Sequence, residues 1–390
     1  MPGQVEYTCP DCGPVKGTLD VIYQRPEALI DRSQPSLFRY NNLPFDAEEA
    51  GLPVNVGWTP LVNAPRLAKR LGVRRLFLKD DTRNPSASMK DRASAMALAR
   101  ARSIGADVIA VASTGNAASS LSVLTAAVGK QAVIFCPKAV PQAKLTQMLL
   151  FGARVIRVAG NYDQAFDLCA SAVDRFGWYS RNTATNPFLA EGKKTAALEI
   201  AEQLNFEDIS GVAVGVGDGC IFGAQYKGFF ELKQWGYIRE IPKLFGVQAI
   251  GASPLVSAFN SGAESVEPIE PQTFADSISV GIPRDQRKAL RAARNTDGAI
   301  IAVTDDAIRR AMRLIAQEGG VFAEPAGAAG LAGLISLSEQ GRLDPDGTYI
   351  AIVTGSGLKD INGAISATNN QPIDVQPDIE PDRLASVLSD

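Results

Sequence analysis

The chain predicts an α/β fold with mostly parallel sheets, and three observations predict it. Short apolar runs alternate with helix-forming stretches from about Leu76 to Val353. Alanine-rich segments fill the gaps between the runs. Glycine-rich turns follow several runs directly, as they do at the ligand-binding edge of an open α/β sheet. In chain order, Leu76-Phe77-Leu78, Val108-Ile109-Ala110-Val111, Ala132-Val133-Ile134-Phe135 and Arg154-Val155-Ile156-Arg157-Val158 read as buried strands. Val212-Ala213-Val214, Leu244-Phe245-Gly246-Val247, Ala299-Ile300-Ile301-Ala302-Val303 and Tyr349-Ile350-Ala351-Ile352-Val353 continue the series. The segments 93–102, 117–128 and 162–175 have helix-forming composition. Two stretches stand apart: a proline- and turn-rich N-terminal extension, residues 1–56, expected to lie over the body, and an acidic, proline-containing tail, residues 371–390.

Bulk composition narrows the function. With 390 residues the chain is long enough for two packed domains, and 46% apolar with 21% charged residues is an ordinary globular balance. A formal net charge of -3 provides no electrostatic footprint for nucleic acid or an anionic membrane. The start, MPGQVEYTCP, lacks the basic and apolar regions of a signal peptide, and five cysteines without a framework suit a reducing compartment. The expected location is the cytoplasm. The chain has no histidine, which excludes Ser-His-Asp and Cys-His catalytic sites and every metal site built on imidazole. Proton transfer must fall to Lys, Asp, Glu, Tyr or Cys, and a lysine imine with a cofactor as electron sink meets that restriction.

Five motifs carry chemistry. In Asn84-Pro85-Ser86-Ala87-Ser88-Met89-Lys90-Asp91-Arg92 a lysine stands on the first turn of a helix; desolvated it is a nucleophile, solvated it belongs to a surface triplet. Ser113-Thr114-Gly115-Asn116 follows a strand and suits either a carboxylate cradle or a simple helix cap, and Asn116 can donate to a phenolic oxygen. Gly215-Val216-Gly217-Asp218-Gly219-Cys220 permits close backbone approach to a phosphate, provided the Asp218 side chain turns away. Thr354-Gly355-Ser356-Gly357 places a hydroxyl at a strand end, where it serves a ring nitrogen or a turn. Glu324-Pro325-Ala326-Gly327 reads as a helix start with a packing role for all but Glu324. Together they supply an amine, a carboxylate cradle, a phosphate cradle and a ring-nitrogen partner, which is the set a pyridoxal phosphate site requires.

On the order and spacing of NPSASMKDR, STGNAASS, the loop from Gly215 to Gly219, EPAGAA and TGSGLKD, with NPFLAEGKKT between them, the sequence resembles the threonine synthase branch of the fold type II pyridoxal-phosphate enzymes. That resemblance implies two open twisted parallel-sheet domains of the tryptophan synthase beta-like kind. The larger cofactor-binding domain would span 57–88 and 187–370, and a smaller mobile domain 89–186. It implies that Lys90 carries pyridoxal 5′-phosphate as a Schiff base and shuttles protons at Cα and Cβ. Asn116 would contact the cofactor's 3′-oxygen, Gly215, Val216, Gly217, Asp218 and Gly219 would hold its phosphate, and Thr354 would face the pyridine nitrogen. Ser113, Thr114, Gly115, Lys144 and Asn182 make up the expected substrate-binding set. The implied reaction converts O-phospho-L-homoserine and water to L-threonine and phosphate, in a homodimer.

The sequence departs from the family pattern near the substrate. Ser-Ala-Ser-Met precedes Lys90 where Thr-Gly-Ser-Phe is usual, and Ser356 stands where histidine is common. Phe188-Leu189 replaces a His-Arg pair suited to the substrate phosphate, leaving Lys144, Lys193 or Lys194 to take its place. This apolar pair favours an alternative: a threonine/serine dehydratase-type lyase, or another β- or γ-replacement synthase of the same fold. A catalytically silent ligand-binding protein is a third reading, against which the intact Lys90 argues. Cys9-Pro10-Asp11-Cys12-Gly13 is half of a zinc ribbon with no second pair, so no metal is expected, and Cys220 reads as a packed thiol beside the phosphate loop.

Overall fold

The structure is a computed structural model, and it describes residues 6–138 and 140–384. Ten strands form two sheets. They are β1 (Leu61–Asn63), β2 (Arg75–Asp80), β3 (Val108–Ala112), β4 (Gln131–Pro137), β5 (Arg154–Val158), β6 (Tyr179–Ser180), β7 (Gly211–Gly215), β8 (Lys243–Ala249), β9 (Ala299–Val303) and β10 (Thr348–Val353). The larger sheet runs β1-β2-β10-β7-β8-β9, and all its neighbours are parallel except β1 against β2. The smaller runs β5-β4-β3-β6 and is parallel throughout. The α/β reading holds, and the eight strands read from apolar runs are all present. The two unread ones, β1 and β6, are three and two residues long, too short to carry a hydrophobic pattern.

All four strands of the smaller sheet come from residues 108–180, and those of the larger from the segments on either side. Central strands β7 and β10 are buried along their whole length, as expected for a sheet covered on both faces. The glycine-rich helix Pro325–Glu339 packs closely on the larger sheet: a Cβ at Gly330 would stand 2.8 Å from the Ala213 carbonyl oxygen. The N-terminal extension is wedged into both halves. Leu37, Phe38, Phe45 and Val56 join the core of the smaller sheet, while Leu29 and Tyr40 join a core of the larger. Arg39 grips Glu202 through two hydrogen bonds, 3.0 and 2.6 Å, and its guanidinium carbon stands 3.6 Å from the centre of the Trp58 ring. The described part of the tail, residues 371–384, is almost wholly exposed; residues 385–390, and 1–5 of the extension, lie outside the described residues. Among the described residues no helix is long and apolar enough to cross a membrane, and no group of three or more His, Cys, Asp or Glu could hold a metal ion.

Strand order explains how motifs far apart in sequence meet. β2, β10 and β7 are consecutive parallel neighbours, so their carboxyl ends share one edge. The loops leaving them carry Lys90, Thr354 and the Gly215–Gly219 turn in that spatial order. β3, in the smaller sheet, contributes Ser113 to Asn116.

Candidate active site

Those loops surround a cavity of about 710 Å³. Lys90, Ser113, Thr114, Gly115, Asn116, Val216, Thr354 and each of Gly215, Gly217, Asp218 and Gly219 line it. Lys90 is the first residue of the helix Lys90–Ser103. The turn before it is clamped to the loop after β10: Met89 N–H donates to the Thr354 carbonyl at 2.8 Å, and Ser356 N–H to the Ala87 carbonyl at 3.0 Å. The Lys359 ammonium ties the same turn by donating to the Ser86 carbonyl at 2.7 Å. The backbone that carries the amine is therefore tied to the loop after β10. Burial pushes the Lys90 ammonium down to about 8, and the nearby Lys193 and Arg181 cations push the same way.

Opposite Lys90, the loop after β7 ends in the helix Cys220–Gln234, with Gly219 at its N-cap in the left-handed region (φ 90°). A Cβ there would meet both Ala289 Cβ and the Asp285 carbonyl oxygen at 2.9 Å, so only glycine fits. Among the described residues the N–H groups of Gly217, Asp218, Gly219 and Cys220 have no protein acceptor, the arrangement of an anion site at a helix start. The Asp218 carboxylate is turned out, accepting from Arg284 N–H at 3.2 Å. That removes the negative charge from the position where a phosphate would sit.

On the β3 side, the helix Asn116–Ala127 begins at the Ser113–Gly115 turn, and Ser113 Oγ accepts from Gly115 N–H at 3.1 Å. Asn116 Nδ2 donates to Glu324 Oε1 at 2.6 Å, while its buried Oδ1 has no hydrogen-bond partner. Burial raises the Glu324 carboxyl, against the pull of Lys144 and Lys359. A buried amide with a second Nδ2 proton to donate, an amine lowered by burial and a glycine-bounded helix start fit pyridoxal phosphate. Hydroxyl, amide and backbone donors suit its polar edges, and of the carboxylates near the helix start Asp218 is turned toward the Arg284 N–H while burial raises Asp285.

Two expected substrate contacts lie elsewhere. Asn182 does not line the cavity: its Oδ1 accepts from Ala112 N–H at 2.8 Å, securing the end of β3. Lys144 sits just behind the wall and is committed to Asp276 at 2.7 Å. Phe188 and Leu189 are also away from the cavity: Phe188 packs its ring 5.6 Å from that of Phe45, and Leu189 is buried in the core of the smaller sheet. Their apolar character therefore removes nothing from the cavity wall. The sequence reading missed the stretch from Pro268 to Ile282, which supplies one side of the cavity through Pro268–Pro271 and Asp276–Ile282. Its only signal was a long aperiodic loop inside a compact domain, which is more often functional than not. Lys193 and Thr183 line the cavity as well.

Comparison with known proteins gives the family and the fold. Residues 52–355 match the family model of the pyridoxal-phosphate dependent enzymes. The chain is 38% identical to the threonine synthase of Methanocaldococcus jannaschii over 386 residues, 96% of this chain and 94% of that protein. It is 37% identical to that of Methanosarcina acetivorans over 92% of this chain and 89% of that protein. Among solved structures, Escherichia coli diaminopropionate ammonia lyase superposes with a TM-score of 0.71 at 20% identity, covering 88% of this chain and 93% of that one. Threonine deaminase isoform 2 of Solanum lycopersicum superposes at 0.69 and 23% identity, over 80% of this chain and 87% of that one; both likenesses concern the fold. With its matched span, its fold and these relatives taken together, the chain belongs to the pyridoxal-phosphate dependent enzymes, in the family of the threonine synthases.

Proposed function

We propose that the protein is a threonine synthase that converts O-phospho-L-homoserine and water to L-threonine and phosphate. The observation that carries this reading is the convergence of Lys90, Asn116, the Gly215–Gly219 turn and Thr354 on one cavity. It gains its specificity from a chain 38% identical, over almost its full length, to a threonine synthase. Pyridoxal phosphate, when bound, supplies an electron-withdrawing ring that stabilises negative charge at the substrate's Cα and Cβ. The N–H groups at the start of the helix Cys220–Gln234 would hold its phosphate, with Asn116 toward its 3′-oxygen and Thr354 toward its ring nitrogen. A hydroxyl partner leaves that nitrogen unprotonated.

Lys90 does the proton work. With its amine near 8, a useful fraction is neutral at physiological pH, so Nζ can take the proton from Cα and one from Cβ; as phosphate leaves Cγ a proton goes to Cγ, water supplies the hydroxyl at Cβ, and Cα regains its proton. The Ser113–Gly115 turn, at a helix start, suits the substrate carboxylate. Glu324, raised by burial and bonded to Asn116, fixes that amide and stays protonated more readily than an exposed carboxyl. Because Phe188 and Leu189 pack away from the cavity, the feature that favoured a dehydratase does not touch the chemistry. The same reading expects a cytoplasmic homodimer. All five cysteines are unbridged, which suits a reducing compartment, and light scattering at twice the 41.3 kDa of one chain would support the dimer.

A coupled assay tests the proposal. O-phospho-L-homoserine should yield phosphate and L-threonine in equal amounts. Appearance of a 2-oxoacid with no threonine, or no phosphate release at all, would contradict it.

A further inference from the structure

Lys144, Lys193 and Lys194 are the buried lysines that the sequence offers to a phosphate, and the structure separates them. Lys144 is paired with Asp276, at 2.7 Å. Lys194 is locked below the floor between Glu191 and Glu231, at 2.8 Å from each, and donates to the Asn42 carbonyl at 3.0 Å. Lys193, next to it on the helix Phe188–Gln203, faces the other way and lines the cavity. It is 2% exposed, and among the described residues its ammonium has no hydrogen-bond or ion-pair partner. A largely buried ammonium that borders a cavity and has no protein partner is a ready site for an anion.

The surroundings indicate which anion. Lys193 is close to Cys220, the first residue of the helix that opens at the glycine turn, and to Lys90 and Arg181. Arg181 is fully buried and donates only to neutral oxygens: Ser94 Oγ at 3.1 Å, and Thr183 Oγ1 and the Lys90 carbonyl at 3.4 Å. Of the nearby carboxylates, Asp218 is turned toward the Arg284 N–H, and burial raises Asp285, which favours its neutral form. Beside the free backbone N–H groups the floor thus carries Lys193, Lys90 and Arg181, whose charged forms burial disfavours until an anion reaches them. A divalent oxyanion offers enough charge and enough acceptor oxygens to satisfy them.

Resting on the functional reading above, we propose that Lys193 is the buried side-chain cation that holds a phosphate monoester at the start of the helix Cys220–Gln234. Two phosphate monoesters enter this cavity under that reading, the cofactor's and the substrate's, and one experiment distinguishes them. Holoenzymes carrying Lys193→Met and Lys193→Gln are compared with the parent in two binding measurements, with circular dichroism confirming that each is folded. The first is equilibrium dialysis against falling pyridoxal 5′-phosphate, read by cofactor absorbance. The second is equilibrium dialysis of radiolabelled inorganic phosphate onto the cofactor-saturated protein.

Loss of a charge-assisted hydrogen bond should weaken binding by about tenfold or more. Weakening confined to the first measurement assigns Lys193 to the cofactor's phosphate. Weakening confined to the second assigns it to the substrate's. If a folded variant binds both as tightly as the parent, the proposal is overturned. Neither measurement needs turnover, so a parent enzyme inactive on O-phospho-L-homoserine would sink the functional reading and leave this result readable.

Discussion

The Lys90 amine sits near 8 because burial disfavours its charged form and two neighbouring cations, Lys193 and Arg181, add to that effect. The sign has two consequences. Reaction with an aldehyde needs the neutral amine, so the rate at which cofactor-stripped protein captures pyridoxal phosphate should rise about tenfold per pH unit well below 8 and level off above it. Stopped-flow absorbance measures this, and a rate that keeps rising to pH 10 would show an ordinary lysine. For stability, a folded value below the usual 10.5 means that the group opposes folding fully below about pH 8, and the opposition fades between 8 and 10.5. Lys90→Ala should lower kcat/KM by about 10²–10⁴-fold or more and remove the absorbance of the lysine-bound cofactor, while the fold persists.

Among the elements, the glycine turn and the buried ion cluster carry the clearest predictions. Gly219→Ala places a methyl 2.9 Å from Ala289 and from the Asp285 carbonyl at a left-handed backbone position. It should cost about 1–2 kcal/mol of stability and loosen the cofactor, read by thermal melting and cofactor titration. Arg92 is fully buried on the helix Lys90–Ser103, donating to Asp81 at 2.7 and 2.8 Å and pairing with Glu199 from the helix Phe188–Gln203. Lys79, on β2, reaches Glu199 as well, at 2.6 Å. Burial alone would raise the Glu199 carboxyl; Arg92 and Lys79 outweigh it and hold it at about 2. The stability from Glu199 is therefore present above its ordinary 4.5 and lost as pH falls from there toward 2. Arg92→Ala leaves the buried Asp81 without its cation and Glu199 with Lys79 alone, and should cost about 3–5 kcal/mol in denaturant unfolding; a loss below 1 kcal/mol would contradict the cluster's role.

At the scale of the whole molecule, the fold was legible because eight strands are apolar runs long enough to show, most of them followed by a glycine or hydroxyl turn. The amine, the Ser113–Asn116 turn, the glycine turn and Thr354 were legible for the same reason: each sits just past a readable strand. Other features depend on tertiary direction alone. Nothing in Lys193-Lys194 says which lysine faces the cavity and which the Glu191–Glu231 cluster, since neighbours on a helix point about 100° apart. Asn182 looked like a substrate ligand but secures the end of β3. Phe188-Leu189 looked like a stripped phosphate site, though the helix turns both into a core.

The account depends on which amine the cofactor joins, and borohydride reduction of the holoenzyme followed by peptide mapping measures that directly. One pyridoxyl-labelled residue is expected, Lys90, in the peptide beginning just after Arg83. Label on Lys193, on Lys359, or on no lysine would contradict it.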